Sequence, residues 1–117
     1  SIIFSQRIQE KASHAGFDWE GIDEVWGKLD EEINELRFAQ KENDINKIRE
    51  EIGDLLFTVI NLSRFFGISA ENALRGSNNK FIKRFQLLEK IIFDINKNIN
   101  DFSPNELDEI WKEAKKY

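Results

Sequence analysis

The stretch INKIREEIGDLLFTVINLSRFFG, residues 45–67, decides the fold. Its apolar residues Ile45, Ile48, Ile52, Leu55, Leu56, Val59, Leu62 and Phe66 recur at spacings of three and four, the period of one helical stripe. Gly67 follows as a C-terminal cap. Upstream, Val25, Leu29, Ile33 and Leu36 repeat the pattern over Ile22–Ala39, and the polar Glu42, Asn43 and Asp44 break the two runs apart. Downstream, Phe81, Phe85, Leu88, Ile92 and Ile95 mark a third long helix starting near Ser69, with Gly76 expected to interrupt its first turns. A connector follows at Asn96–Asp101, and Ser103, Pro104 and Glu106 then stand at the cap, first and third positions of a short final helix reaching about Lys116. Ile2–Ala15 makes a further helix closed by Gly16. No segment sustains period-two alternation, so the fold class is an all-α helical bundle.

The 117 residues correspond to one domain, 1–117, able to bury a core without staples. Acids number 22 against 17 bases, so nucleic acid and anionic membranes are poor partners for the average surface. Cysteine is absent, which excludes disulfides, thiolate nucleophiles and zinc–thiolate sites. With no apolar run of membrane-spanning length, a cytoplasmic location is the expectation. The chain also lacks methionine, as a processed protein or a domain cut from a longer one would.

Chemistry concentrates in two acidic clusters: Glu31, Glu32 and Glu35 on one helix, Glu51 and Asp54 on the next. Carboxylates three apart share a helix face, so two antiparallel helices can aim four of them at one point. Helical rotation sets Glu32 at the edge of the apolar arc, partly desolvated, and runs Glu51, Asp54, Lys47 and Asn61 along one strip. Gathering acids at a core boundary is costly unless a cation or protons compensate. Oxygen-only ligation fits Mg²⁺ best, with Mn²⁺ as a substitute. A di-iron centre of the ferritin type needs ExxH motifs, and His14, the one histidine, lies in neither cluster. Lys80 with Arg84, and Trp111 with Lys115, pair four apart on later helices, as cations and an aromatic suited to a nucleotide.

At these residues the sequence resembles the MazG family of nucleoside triphosphate pyrophosphohydrolases. Glu31, Glu32 and Glu35 match its EExxE motif, and Glu51 with Asp54 its ExxD motif. RIQEKASHAGFDW (7–19), NKFIKRF (79–85) and ELDEIWKEAKK (106–116) resemble the C-terminal domain of tandem-domain members. The resemblance implies magnesium-dependent cleavage of a nucleoside triphosphate between its α and β phosphates. It implies Glu32, Glu35, Glu51 and Asp54 as metal ligands. Glu31 or one of those ligating carboxylates is the catalytic proton acceptor, and the sequence does not choose between them. The resemblance also implies Lys28, Lys47, Asn61, Lys80, Arg84, Trp111 and Lys115 as nucleotide contacts, and a homodimer or higher oligomer. The alternatives are a narrower hydrolase, of dUTPase, dCTPase or phosphoribosyl-ATP pyrophosphohydrolase type, and a non-catalytic dimeric regulatory domain.

Overall fold

A computed structural model describes residues 1–117. It is all-α: α1 (Ile2–His14), α2 (Ile22–Lys41), α3 (Ile45–Phe65), α4 (Ala70–Asp94), a single 3-10 turn (Ile99–Asp101) and α5 (Pro104–Ala114). No single helix is long and apolar enough to cross a membrane. The chain divides into two compact units, Ser1–Ala73 and Leu74–Tyr117.

In the first unit, α2 and α3 form a hairpin across a three-residue turn. Asn43 adopts a left-handed φ of 55° there, and the Asp44 side chain caps α3 by accepting from the Lys47 amide at 3.2 Å. α1 packs on α3. Gly67, with φ +70°, ends α3 in the conformation that glycine adopts without strain.

The stripe read as the core of α3 is split. Ile45, Ile52, Leu56, Val59 and Phe66 are 43–63% exposed, while Ile48, Leu55 and Leu62 are half-buried. The residues α3 buries include Glu51, Thr58 and Asn61. Positions 48, 51, 55, 58 and 62 form a seam of spacing three and four, so one turn in two of this inward face carries a polar group. Thr58 meets that demand locally, its Oγ1 donating to the Asp54 carbonyl at 2.9 Å. α1 makes the same choice. Gln9 is buried while Ile3, Phe4 and Ile8 are 43–58% exposed.

In the second unit, Leu88, Ile92 and Ala114 are buried, and Phe81 stacks on Phe85 with ring centres 6.1 Å apart. α4 runs unbroken through Gly76, contrary to the expected interruption; nothing lies within 4 Å of the position a Cβ would take, and flanking turns absorb the roughly 1 kcal/mol cost of one glycine. α5 opens on a complete capping box, Ser103 Oγ accepting from the Glu106 amide and Glu106 from the Ser103 amide.

Candidate metal and nucleotide site

Glu32 occupies the middle of the buried face of α2, between Val25 and Ala39, with 2% of its surface exposed. That is deeper than the partial desolvation expected at the edge of the apolar arc. Two heptad steps, 25 to 32 to 39, place all three on one line, and the α3 hairpin partner covers it. Glu51 meets it from α3, 3% exposed. Oxygens of Glu32, Glu35 and Glu51 all lie within 4.8 Å of one another, with Glu35 at the solvent side.

Two lysines flank the acids on their own helices. Lys28 Nζ is 2.8 Å from Glu32 Oε1 and 3.5 Å from Glu31 Oε1; Lys47 Nζ is 3.9 Å from Glu51 Oε1. The two buried carboxylates nonetheless diverge. Burial raises the pKa of Glu32, but hydrogen bonds, that from Lys28 foremost, outweigh it and hold Glu32 below the usual range. Glu51 is pushed up to about 7, by burial first and then by Glu32 and Glu35. Lys28 is raised, chiefly by its bond to Glu32.

One oxygen of each buried acid, Glu32 Oε2 and Glu51 Oε2, has no hydrogen-bond partner. Buried acceptors are nearly always satisfied, and a charged one left alone is costly. Two such oxygens within reach of a third carboxylate make a hard, all-oxygen donor set, which fits a divalent cation of the Mg²⁺ or Mn²⁺ type.

Asp54 lies one turn beyond Glu51, exposed and outside the three-carboxylate group. Glu31 is exposed beside Lys28. Asn61 is buried, its Oδ1 accepting from Arg64 Nη2 at 3.0 Å. Lys80, Arg84, Trp111 and Lys115 belong to the second unit. There Lys80 and Lys115 are exposed, Arg84 is half-buried, and Trp111 packs on Phe81 at 5.3 Å between ring centres. His14 is the exposed last residue of α1.

Reading the sequence missed a second polar centre in the first unit. Arg64 Nη1 and Nη2 donate to Asp18 Oδ2 and Oδ1 at 2.9 and 2.6 Å, Ser13 Oγ donates to Asp18 at 2.7 Å, and the Trp19 amide donates at 2.8 Å. The Arg64 guanidinium, first among these, holds the Asp18 carboxyl far below its ordinary value. This bridge fixes the α1–α2 loop over α3, beside a cavity of about 450 Å³. Only the bidentate fit of an arginine to a carboxylate 46 residues away joins them, and local spacing cannot reveal it.

Two packed helices of an all-α domain thus bring two buried glutamates and one exposed glutamate together, an oxygen-only donor set compatible with a hard cation. Residues 22–87 match the MazG nucleotide pyrophosphohydrolase domain. The chain is 40% identical to the nucleoside triphosphate pyrophosphohydrolase/pyrophosphatase MazG of Thermotoga maritima, across 98% of this chain and 44% of that protein. It is 33% identical to the nucleoside triphosphate pyrophosphohydrolase of Escherichia coli K12, across 99% of this chain and 45% of that protein. The chain belongs to the MazG nucleotide pyrophosphohydrolase domain family. It spans less than half the length of those curated relatives.

Proposed function

We propose that this domain, acting over residues 1–117, hydrolyses nucleoside triphosphates between the α and β phosphates, giving a nucleoside monophosphate and pyrophosphate. The observation that carries this reading is the pair of buried, unpartnered oxygens of Glu32 and Glu51 beside Glu35. Glu32, Glu35 and Glu51, with Asp54 from the next turn of α3, would hold Mg²⁺, or Mn²⁺ in its place. A cation so held supplies charge neutralisation for the polyphosphate and lowers the pKa of a bound water.

The chain's own side chains do the rest. Lys28 and Lys47 balance Glu32 and Glu51 and carry positive charge to the rim of the cluster, where phosphate oxygens arrive. Glu31, solvent-exposed one residue before Glu32, is available to accept a proton from the attacking water. Lys80, Arg84, Trp111 and Lys115 enter as nucleotide contacts through the family resemblance, and Asn61 through its place two turns beyond Asp54.

A homodimer is part of this reading, and α3 supports it. Its exposed Ile45, Ile52, Leu56, Val59 and Phe66 make a continuous apolar stripe that a second copy would cover. A cytoplasmic setting, with its nucleoside triphosphates, suits both the reaction and a chain without cysteine.

The test is product analysis with a panel of ribo- and deoxyribonucleoside triphosphates and Mg²⁺. Equimolar nucleoside monophosphate and pyrophosphate is the expected outcome. Nucleoside diphosphate and orthophosphate would overturn the bond assignment, and turnover confined to one nucleotide would favour the narrower hydrolases.

A further inference from the structure

Glu32 and Glu51 divide their two carboxylate oxygens in the same way. On each, Oε1 faces a lysine one turn earlier on its own helix, Lys28 Nζ at 2.8 Å for Glu32 and Lys47 Nζ at 3.9 Å for Glu51. On each, Oε2 is buried without a hydrogen-bond partner. Two helices thus present one pattern, a carboxylate with one oxygen beside an ammonium and the other left over for the shared centre.

The hold on Glu32 is the firmer of the two. Lys28 is 34% exposed and is braced from its other side by Glu31 Oε1 at 3.5 Å, whereas Lys47 is 55% exposed and stands farther from its acid. Glu32, 2% exposed, has no solvent to turn toward if it leaves the lysine.

The number of oxygens that a carboxylate offers separates two cations of equal charge. Ca²⁺ gathers about six to eight oxygens at about 2.3–2.6 Å and often takes both from one carboxylate. Mg²⁺ needs a near-ideal octahedron at about 2.0–2.1 Å, into which the narrow bite of a single carboxylate fits poorly. An ion chelated by both oxygens of Glu32 would also lie nearer to the Lys28 ammonium than one held by Oε2 alone, and like charge opposes that pose.

We propose that Lys28 is a positioning residue that sets metal specificity: by holding Oε1 it limits Glu32 to one ligating oxygen and so favours Mg²⁺ over Ca²⁺, with Lys47 in the matching place on α3. The inference rests on the cation site of the proposed function. It adds to the nucleotide contact that the family resemblance gives Lys28. An ammonium has three N–H donors, so pairing with Glu32 and Glu31 leaves one for a phosphate oxygen.

The experiment loads the nucleotide-free protein with Mn²⁺, then displaces it with Mg²⁺ or with Ca²⁺ while free Mn²⁺ is counted by electron paramagnetic resonance. The readout is the ratio of the Ca²⁺ and Mg²⁺ affinities. Both ions carry two charges, so the mere loss of a lysine's charge moves both affinities alike and cancels in the ratio. The wild-type protein is expected to prefer Mg²⁺. Lys28→Met should raise the ratio of Ca²⁺ to Mg²⁺ affinity about tenfold, the low end of what removing a partner of a metal-binding side chain does. Lys28→Arg, which keeps the hold on Oε1, should restore the wild-type ratio. Lys47→Met should raise it by a smaller factor, about threefold, in keeping with its longer pairing. Circular dichroism checks the fold of each variant, and where Lys28→Met does not fold, Lys47→Met at its exposed lysine decides. An unmoved ratio in the deciding variant, failure of Lys28→Arg to restore it, or a wild-type protein that binds Ca²⁺ as well as Mg²⁺ would each overturn the proposal. Mn²⁺ binding with an unmoved ratio overturns the role of Lys28 alone; no Mn²⁺ binding by the wild-type protein overturns the cation site and this inference with it.

Discussion

Replacing Asp18 by Asn removes the charge from the bridge that ties the α1–α2 loop to α3 while keeping the side chain's size. Both carboxylate oxygens are engaged by Arg64, at 2.6 and 2.9 Å, and the two side chains are only 23% and 14% exposed. A charge-assisted bond contributes about 1.5–3 kcal/mol when well shielded. Residual solvent access lowers this, and the Ser13 and Trp19 bonds survive in weaker form, so the expected loss is about 1.5 kcal/mol. For a chain of 117 residues the unfolding entropy is about 0.25 kcal/mol/K, which turns the loss into a drop in Tm of about 6 °C. The folded carboxyl is held below its unfolded value, so the contribution is complete above about pH 5. It fades as pH falls through and below the ordinary carboxylate value near 4. Urea unfolding of both proteins at pH 7, 4 and 3 measures this. A difference below about 0.3 kcal/mol at pH 7, or one that stays constant down to pH 3, would refute the assignment of the energy to this ion pair.

Other outcomes follow from burial. Val25 is fully buried on α2, so Val25→Ala should cost about 2 kcal/mol by leaving a void, read by the same unfolding curves. Leu56 is 60% exposed at the centre of the α3 stripe, so Leu56→Arg should leave helicity by circular dichroism intact while converting a dimer to a monomer in light scattering. A wild-type protein that is already monomeric would remove the dimer from the account.

The periodicities of α2 and α3, the turn at residues 42–44, Gly67 as a terminator and the Ser103–Glu106 capping box were all legible, because each depends on neighbours within one or two turns. The meeting of Glu32 with Glu51 was legible for the same reason, since each motif fixes a helix face. How far each helix rolls toward its partner was not. A roll of some tens of degrees turns Glu32 from the edge of an arc to its middle, turns half of the α3 stripe outward, and leaves Asp54 outside the group formed by Glu51. Gln9 escaped notice because Ile3, Phe4 and Ile8 carry the hydrophobic signal of α1 while its inward line runs through Gln9. The Asp18–Arg64 bridge joins residues far apart in sequence, where only tertiary packing brings partners together.

The central claim is that the unpartnered oxygens of Glu32 and Glu51 belong to a divalent-cation site. Titrating the metal-free protein with Mn²⁺ and counting free ion by electron paramagnetic resonance tests it without reference to turnover. The expected result is saturable binding that Mg²⁺ displaces and that the Glu32→Gln/Glu51→Gln double variant loses while remaining fully helical. Undiminished Mn²⁺ binding by the folded double variant, or none by the wild-type protein, would contradict it.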